Sequence, residues 1–153
     1  MYYIYPQLKK SRFRALGICF LFSVFCLINI PGQDLKNSMM GEWRMVSNGD
    51  GFLEATLHFD ESDNYWLDRT WPDGSKAEVK GGCELNAANE PATLRLCLGD
   101  CNTAGSEWTS MFCLVRLEGN DRLEIIISGS GDFPGEFPAD PDSKGMYIFE
   151  RAD

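Results

Sequence analysis

The sequence predicts an all-β protein: an eight-stranded antiparallel up-and-down barrel that follows an N-terminal signal peptide. The chain has 153 residues, and the part after residue 32 has the size of one domain. Short runs in which apolar and polar residues alternate fill that part, as in half-buried strands. Turn-forming pairs such as Asn48-Gly49 and Asp50-Gly51 separate the runs, as they do in hairpins.

The N-terminal segment has the three-part layout of a secretory signal peptide. Residues 9–14 contain four basic side chains, and residues 15–30 contain no charge. This apolar run is shorter than the roughly 20 residues that a membrane-spanning helix needs. We therefore expect cleavage after Gly32, which makes residues 1–32 the signal peptide and residues 33–153 the mature domain. The protein is then secreted or periplasmic, and it contacts a membrane only if the signal segment stays uncleaved.

The alternating runs predict each strand in turn. The expected strands are residues 43–48, 53–59, 65–71, 77–83, 94–98, 108–117, 123–127 and 146–151. Residues 34–40 are expected to form no more than a helical turn. The adjacent Gly81 and Gly82 indicate a bulge or a sharp bend inside the fourth strand. Eight sequential strands can close into a barrel, which removes exposed edges, and an open β-sandwich is the rival architecture.

The charge of the chain excludes one class of partner. The formal net charge is −9, and removal of residues 1–32 takes away four basic residues and no acidic one, which leaves −13. A surface this acidic repels phosphate backbones, so nucleic acid is not an expected partner.

The cysteines of the mature domain predict covalent cross-links. Four of them remain after cleavage: Cys83, Cys97, Cys101 and Cys113. An even number in an exported domain predicts two structural disulfides, with free buried thiols as the alternative. The three possible pairings stay open. The spacing contains no Cys-x-x-Cys, so neither a metal site nor a redox-active dithiol is expected, and no cofactor-binding motif is present.

The start of the first strand resembles a known family. Gly41-Glu42-Trp43 is similar to the Gly-x-Trp motif of lipocalins and the broader calycin group, and the chain from Gly41 to Arg151 resembles lipocalin-like β-barrel domains of bacterial exported proteins. The resemblance implies that Trp43 plugs the closed end of the barrel. It also implies that Arg151, at the end of the last strand, packs over the indole as a cation on an aromatic face. The family's disulfide to the C-terminal tail is not expected, because no cysteine follows Cys113.

Two functions are consistent with such a barrel. The first is binding of a small apolar or amphipathic ligand in the mouth opposite Trp43, with Trp71 and Phe112 on the wall and room provided by the small inward residues Ala55 and Gly81.

The alternative is a solid-core envelope interaction or assembly protein. It would act through its loops on an envelope protein partner, with the phenylalanines of the Pro-rich segment 133–141 exposed. An enzyme is not expected. His58 is the only histidine and lies on the polar side of its strand, and no Gly-x-Ser-x-Gly motif is present.

Overall fold

The structure, a computed structural model, describes residues 31–152, with side chains except at residues 31–33 and 108. The expected signal peptide, residues 1–32, therefore lies almost entirely outside the described residues, and so does its cleavage. Within the described range, no helix has the length and apolar character that a membrane span requires.

The described residues form a closed barrel of eight antiparallel strands in chain order, in which β8 also pairs with β1. A short helix, α1, precedes the barrel, and a 3-10 turn, Ser106–Thr109, precedes β6. The elements are α1 Pro31–Met39, β1 Gly41–Asn48, β2 Glu54–Phe59, β3 Asn64–Thr70, β4 Lys76–Asn86, β5 Ala92–Cys97, β6 Ser110–Glu118, β7 Arg122–Ile127 and β8 Met146–Arg151. The predicted up-and-down barrel is confirmed, and the sandwich alternative is excluded.

Most element boundaries differ from the predictions by one to three residues, and two of these differences change an interpretation. The helical turn expected at residues 34–40 is a nine-residue helix that begins at Pro31. A proline is tolerated there because the first turn of a helix does not use its backbone N–H groups. Strand β2 begins at Glu54, so Leu53 does not share the inward face of Ala55 and is 62% exposed.

The expected irregularity in β4 has a clear cause. The chain that leaves β5 crosses β4 at Gly81, where a parallel bridge joins Gly81 to Gly99. A Cβ atom on Gly81 would lie 1.9 Å from the carbonyl oxygen of Cys97, so no larger residue fits without backbone movement.

An additional layer covers one side of the barrel. Residues 128–145, between β7 and β8, fold back along the outer face of β6. Phe133 packs edge-on against Phe112, with 5.0 Å between the ring centroids, and Phe137 lies 4.5 Å from the Arg116 guanidinium. Leu114 is only 3% exposed although it points away from the barrel interior. The barrel is therefore apolar on both faces in this region.

The structure contains one disulfide among the described residues, not the two that were expected. Cys97 and Cys101 are bonded, whereas Cys83 and Cys113 are free thiols. Cys83 lies on β4 and Cys113 lies on β6, so the whole of β5 separates them. Strands two positions apart are about 10 Å apart, which exceeds the reach of a disulfide.

Candidate functional site

The closed end of the barrel is sealed by Trp43 and Arg151. Trp43 is fully buried, and its indole Nε1 donates a hydrogen bond to the carbonyl oxygen of Met39 at 2.8 Å. The Arg151 guanidinium carbon lies 4.2 Å from the centroid of the Trp43 ring. Arg151 also donates to the carbonyl oxygens of Met40 at 2.9 Å and Asn120 at 3.0 Å. These contacts tie α1 and the β6–β7 turn to the plug, so both residues stabilise this end of the barrel.

The middle of the barrel is filled by side chains. Residues from five strands leave at most 2% of their surface exposed: Leu57, Tyr65, Leu94, Leu96, Cys113, Val115 and Ile125. The hydroxyl of Tyr65 is buried among them and has no hydrogen-bond partner in the part of the chain that the structure describes. Burial raises the pKa of Tyr65 to about 12, and the nearby thiols of Cys113 and Cys83 add to the effect. The Tyr65 hydroxyl is therefore a neutral group within the apolar middle of the barrel.

The opposite end, the mouth, is covered by four side chains that we name the mouth cluster: Phe52, Arg69, Trp71 and Tyr147. The Arg69 guanidinium lies 5.2 Å from the Phe52 ring centroid and 5.4 Å from that of Trp71. Phe52 meets Trp71 edge-on at 5.1 Å and stacks on Tyr147 at 6.1 Å. The cluster places a cation on aromatic faces above the filled core.

Asp50 holds the β1–β2 loop onto the mouth cluster. Its carboxylate accepts hydrogen bonds from the hydroxyl of Tyr147 and, at 3.3 Å, from the backbone N–H of Gly145. Burial raises the pKa of Tyr147, and the hydrogen bond to Asp50 raises it further. Tyr147 is therefore a neutral donor at physiological pH, and it fixes Phe52 over the mouth.

The structure brings together only part of the predicted ligand site. Ala55 pairs with Arg69 across β2 and β3, and Trp71 contacts the same guanidinium. Gly81 does not provide space, because the backbone of Cys97 occupies it. Phe112 lies on the outer face of β6 against Phe133 and not on the wall beside Trp71, because its neighbour Cys113 takes the inward position.

Arg69 was not predicted from the sequence as a site residue. It lies at the inward position of β3 in the same alternation as Tyr65 and Leu67. The sequence signal for Arg69 as a site residue is a charged side chain at a position where the alternation predicts an apolar one. Its Nε atom is buried and has no hydrogen-bond partner among the described residues.

The loops around the mouth combine acidic and exposed apolar side chains. We define the mouth loops as residues 49–53, 71–75 and 128–145; they contain six carboxylates and a single basic residue, Lys144. The large apolar side chains that are exposed within the described residues are Val46, Leu53, Leu98 and Phe133. Leu53 and Phe133 lie in mouth loops, and Val46 lies at a bulge in the mouth half of β1. Leu98 begins the β5–β6 loop, whose residues 99–102 line an open space with residues 62–64 of the β2–β3 turn.

The described residues contain no group of three or more histidine, cysteine or acidic side chains placed to hold a metal ion. No protein-family model matches the chain, and no curated protein is significantly similar to it.

Proposed function

We propose that this protein is a solid-core interaction module that binds a protein partner through its mouth loops. The observation that carries the proposal is the filled interior. The residues in the middle of the barrel, such as Leu94, Cys113 and Val115, are completely or almost completely buried. A barrel whose middle is occupied by tightly buried side chains offers a partner its surface and its loops.

The distribution of exposed apolar groups supports this proposal. Leu53 is 62% exposed, Leu98 is 54% exposed and Phe133 is 44% exposed. Leu53 and Phe133 lie in mouth loops that also carry acidic residues, whereas Leu98 begins the β5–β6 loop, whose residues 99–102 line an open space together with residues 62–64 of the β2–β3 turn. Apolar anchors within a polar rim are typical of protein–protein interfaces.

The charge of the mouth loops indicates the chemistry of the partner. Six carboxylates against Lys144 give these loops a strongly negative potential. Complementary charge accelerates and orients association, so we infer a partner surface that combines basic and apolar side chains. The proposed setting is the one that the signal segment implies, and the partner is then another secreted or envelope protein.

Arg69 favours a second candidate function, in which the mouth admits a small amphipathic anion. Its Nε atom is buried and unpartnered among the described residues, and the carboxylate of such a ligand could pair with it. This function ranks second because the filled core confines the ligand to the mouth, where Phe52 and Trp71 already occupy the face of the guanidinium.

Site-specific photocrosslinking tests the proposed function. A photoreactive amino acid replaces Leu53 or Phe133 in cells that express the full-length chain, and Glu61, in the β2–β3 turn at the closed end, is the control position. We expect the same protein adduct from both mouth positions and none from position 61. Salt should weaken the adducts, because the attraction is electrostatic. The absence of an adduct, or equal labelling from all three positions, would contradict the proposal.

The same preparation separates the two candidate functions. Trp71 lies in the mouth cluster, so a ligand there should change tryptophan fluorescence. Saturable quenching by a fatty acid, lost in Arg69→Ala and absent with the matched fatty alcohol, would favour the second function. We expect no saturable quenching.

A further inference from the structure

A shallow cleft lies on the outer face of β1, β2 and β3, away from the mouth loops. The strand register aligns outward side chains in two rows, one with Glu42, His58 and Trp66 and the next with Arg44, Thr56 and Asp68. We name the open space of about 310 Å³ between these rows the Trp66 cleft; its lining residues are Glu42, Thr56, His58, Trp66 and Asp68.

Trp66 is an aromatic ring on a polar outer face. It is half-buried, and its ring contact within the described residues is with His58, edge-on at 5.0 Å. The outward Phe112, on the other side of the barrel, is instead packed against Phe133 of the additional layer. Thr56, in the row next to Trp66, is small enough to leave space above the sheet. The indole therefore forms one wall of a cleft and not part of an apolar core.

The polar groups of the cleft are available for a ligand. The described residues provide no hydrogen-bond or ion-pair partner for the Trp66 indole N–H, the Thr56 hydroxyl, the His58 ring or the Asp68 carboxylate. Trp66 donates, Asp68 accepts, the Thr56 hydroxyl can do both, and the His58 ring offers two nitrogen atoms. This mixture of donors and acceptors beside an aromatic wall matches a molecule that carries several hydroxyl groups on an apolar ring skeleton.

The local charge argues for a neutral ligand. Glu42 is paired with Arg44 at 3.4 Å, and Glu78 on the adjacent strand is paired with Lys80 at 3.1 Å. Of the two carboxylates that line the cleft, Asp68 is therefore the one without an ion pair among the described residues. The mouth loops, by contrast, carry a large excess of negative charge. A basic peptide would be attracted to the mouth loops and not to this cleft.

We propose that the Trp66 cleft binds a neutral carbohydrate unit. The C–H face of the sugar ring lies on the Trp66 indole, and its hydroxyl groups exchange hydrogen bonds with Asp68, Thr56 and His58. The site lies on the side of the barrel and is independent of the proposed interaction through the mouth loops. Loss of one binding function therefore leaves the other intact.

The test uses protein purified from cells that express the full-length chain. An array of neutral and charged oligosaccharides identifies a ligand, and calorimetry measures its affinity for the protein and its variants. Trp66→Ala and Asp68→Ala should each weaken binding at least about tenfold, equivalent to about 1.4 kcal/mol. Trp66→Phe should retain part of the affinity, because it keeps an aromatic face. Glu54→Gln, a change on the same face of β2 outside the cleft, is the matched control and should bind like the unchanged protein.

Circular dichroism of each variant establishes that the barrel is intact. Three results would overturn the proposal: no neutral saccharide binds, binding is unchanged by Trp66→Ala, or a basic peptide binds the cleft in place of a sugar. Photocrosslinking from Leu53 should be unchanged in Trp66→Ala, so failure of this proposal is distinguishable from failure of the proposed function.

Discussion

At the scale of single residues, Gly81 shows how an inferred pocket residue can have a structural role instead. From the sequence, it was expected among the small residues that leave room for a ligand. In the structure, a Cβ atom at this position would lie 1.9 Å from the carbonyl oxygen of Cys97 and 2.5 Å from the backbone nitrogen of Gly99. The space beside Gly81 is therefore filled by the backbone that follows β5. Because Gly81 has no side chain, the backbone that follows β5 can cross β4 there, and no cavity remains.

Gly81→Ala should consequently destabilise the protein. The added methyl group meets backbone atoms that cannot rotate away, so the free energy of unfolding should fall by about 1–3 kcal/mol or more. Urea unfolding followed by fluorescence measures the change. Gly129→Ala is the matched control, because a Cβ atom added there would have no neighbour within 4 Å and the φ angle of Gly129 is not in the left-handed region. Equal stability of the two variants would contradict this interpretation of Gly81.

At the scale of elements, the segment between β7 and β8 is attached to the barrel through an ionic cluster. The Glu124 side chain is only 4% exposed, and its carboxylate binds the guanidinium groups of both Arg116 and Arg122. Arg116 also lies over the ring of Phe137, which belongs to the segment. Two positive charges therefore neutralise the buried Glu124 carboxylate. One of them, Arg116, also links strand β6 to the additional layer.

This arrangement predicts a non-additive pair of mutations. Arg116→Ala or Arg122→Ala leaves one cation on Glu124, so each should cost about 1 kcal/mol of unfolding free energy. The double variant leaves a buried carboxylate without a counter-charge, which should cost about 3–5 kcal/mol, more than the sum of the single changes. Urea unfolding of the four proteins gives the coupling. Lys80→Ala, which removes an exposed ion pair with Glu78, is the control and should change stability little. If the double variant lost only the sum of the two single losses in unfolding free energy, the two arginines would not share the Glu124 carboxylate as proposed.

At the scale of the whole molecule, the sequence predicted the barrel because strand alternation is a local signal. The eight strands and their order follow from runs that each span a few residues. The ring contact between Trp43 and Arg151 is the one that the family resemblance implied. Strand alternation could not predict which side chains face the barrel interior where both faces of a strand are apolar. Residues 111–115 of β6 are all apolar, so Phe112 offered no sign that residues 128–145 cover it from outside.

The disulfide pattern could not be predicted from the local sequence for a different reason. Whether two cysteines meet depends on which strands are neighbours, and β5 separates Cys83 from Cys113. The inward position of Arg69 follows from the alternation of β3, but its contacts with Phe52 and Trp71 do not, because both rings lie in loops. The candidate site could therefore be predicted at Trp71 and Ala55, which strand alternation and turn position locate. The contacts that close the mouth depend on loops that the pattern does not specify.

The filled interior makes the stability of the whole barrel sensitive to alkaline pH. Burial raises the pKa of Cys113 from 9.0 to about 12 and contributes most to raising the pKa of Tyr65 from 10.0 to about 12. The folded state keeps these groups protonated, whereas the unfolded chain ionises at the ordinary pKa. Their contribution to stability is therefore complete below about pH 9 and is lost as the pH rises toward about 12.

We accordingly expect the free energy of unfolding to fall above about pH 9, by about 1.4 kcal/mol per pH unit for each group that ionises only on unfolding. Urea unfolding between about pH 8 and about pH 11 measures the slope. In Cys113→Ser the free energy of unfolding should fall less steeply, by about 1.4 kcal/mol per pH unit, because one ionising group is missing. Lysines that titrate alike in both proteins contribute equally to both slopes. A disulfide between Cys83 and Cys113 would abolish the thiol contribution. An unchanged slope in Cys113→Ser would therefore show that the Cys113 thiol is not the buried, protonated group that the register of β5 and β6 places inside the barrel.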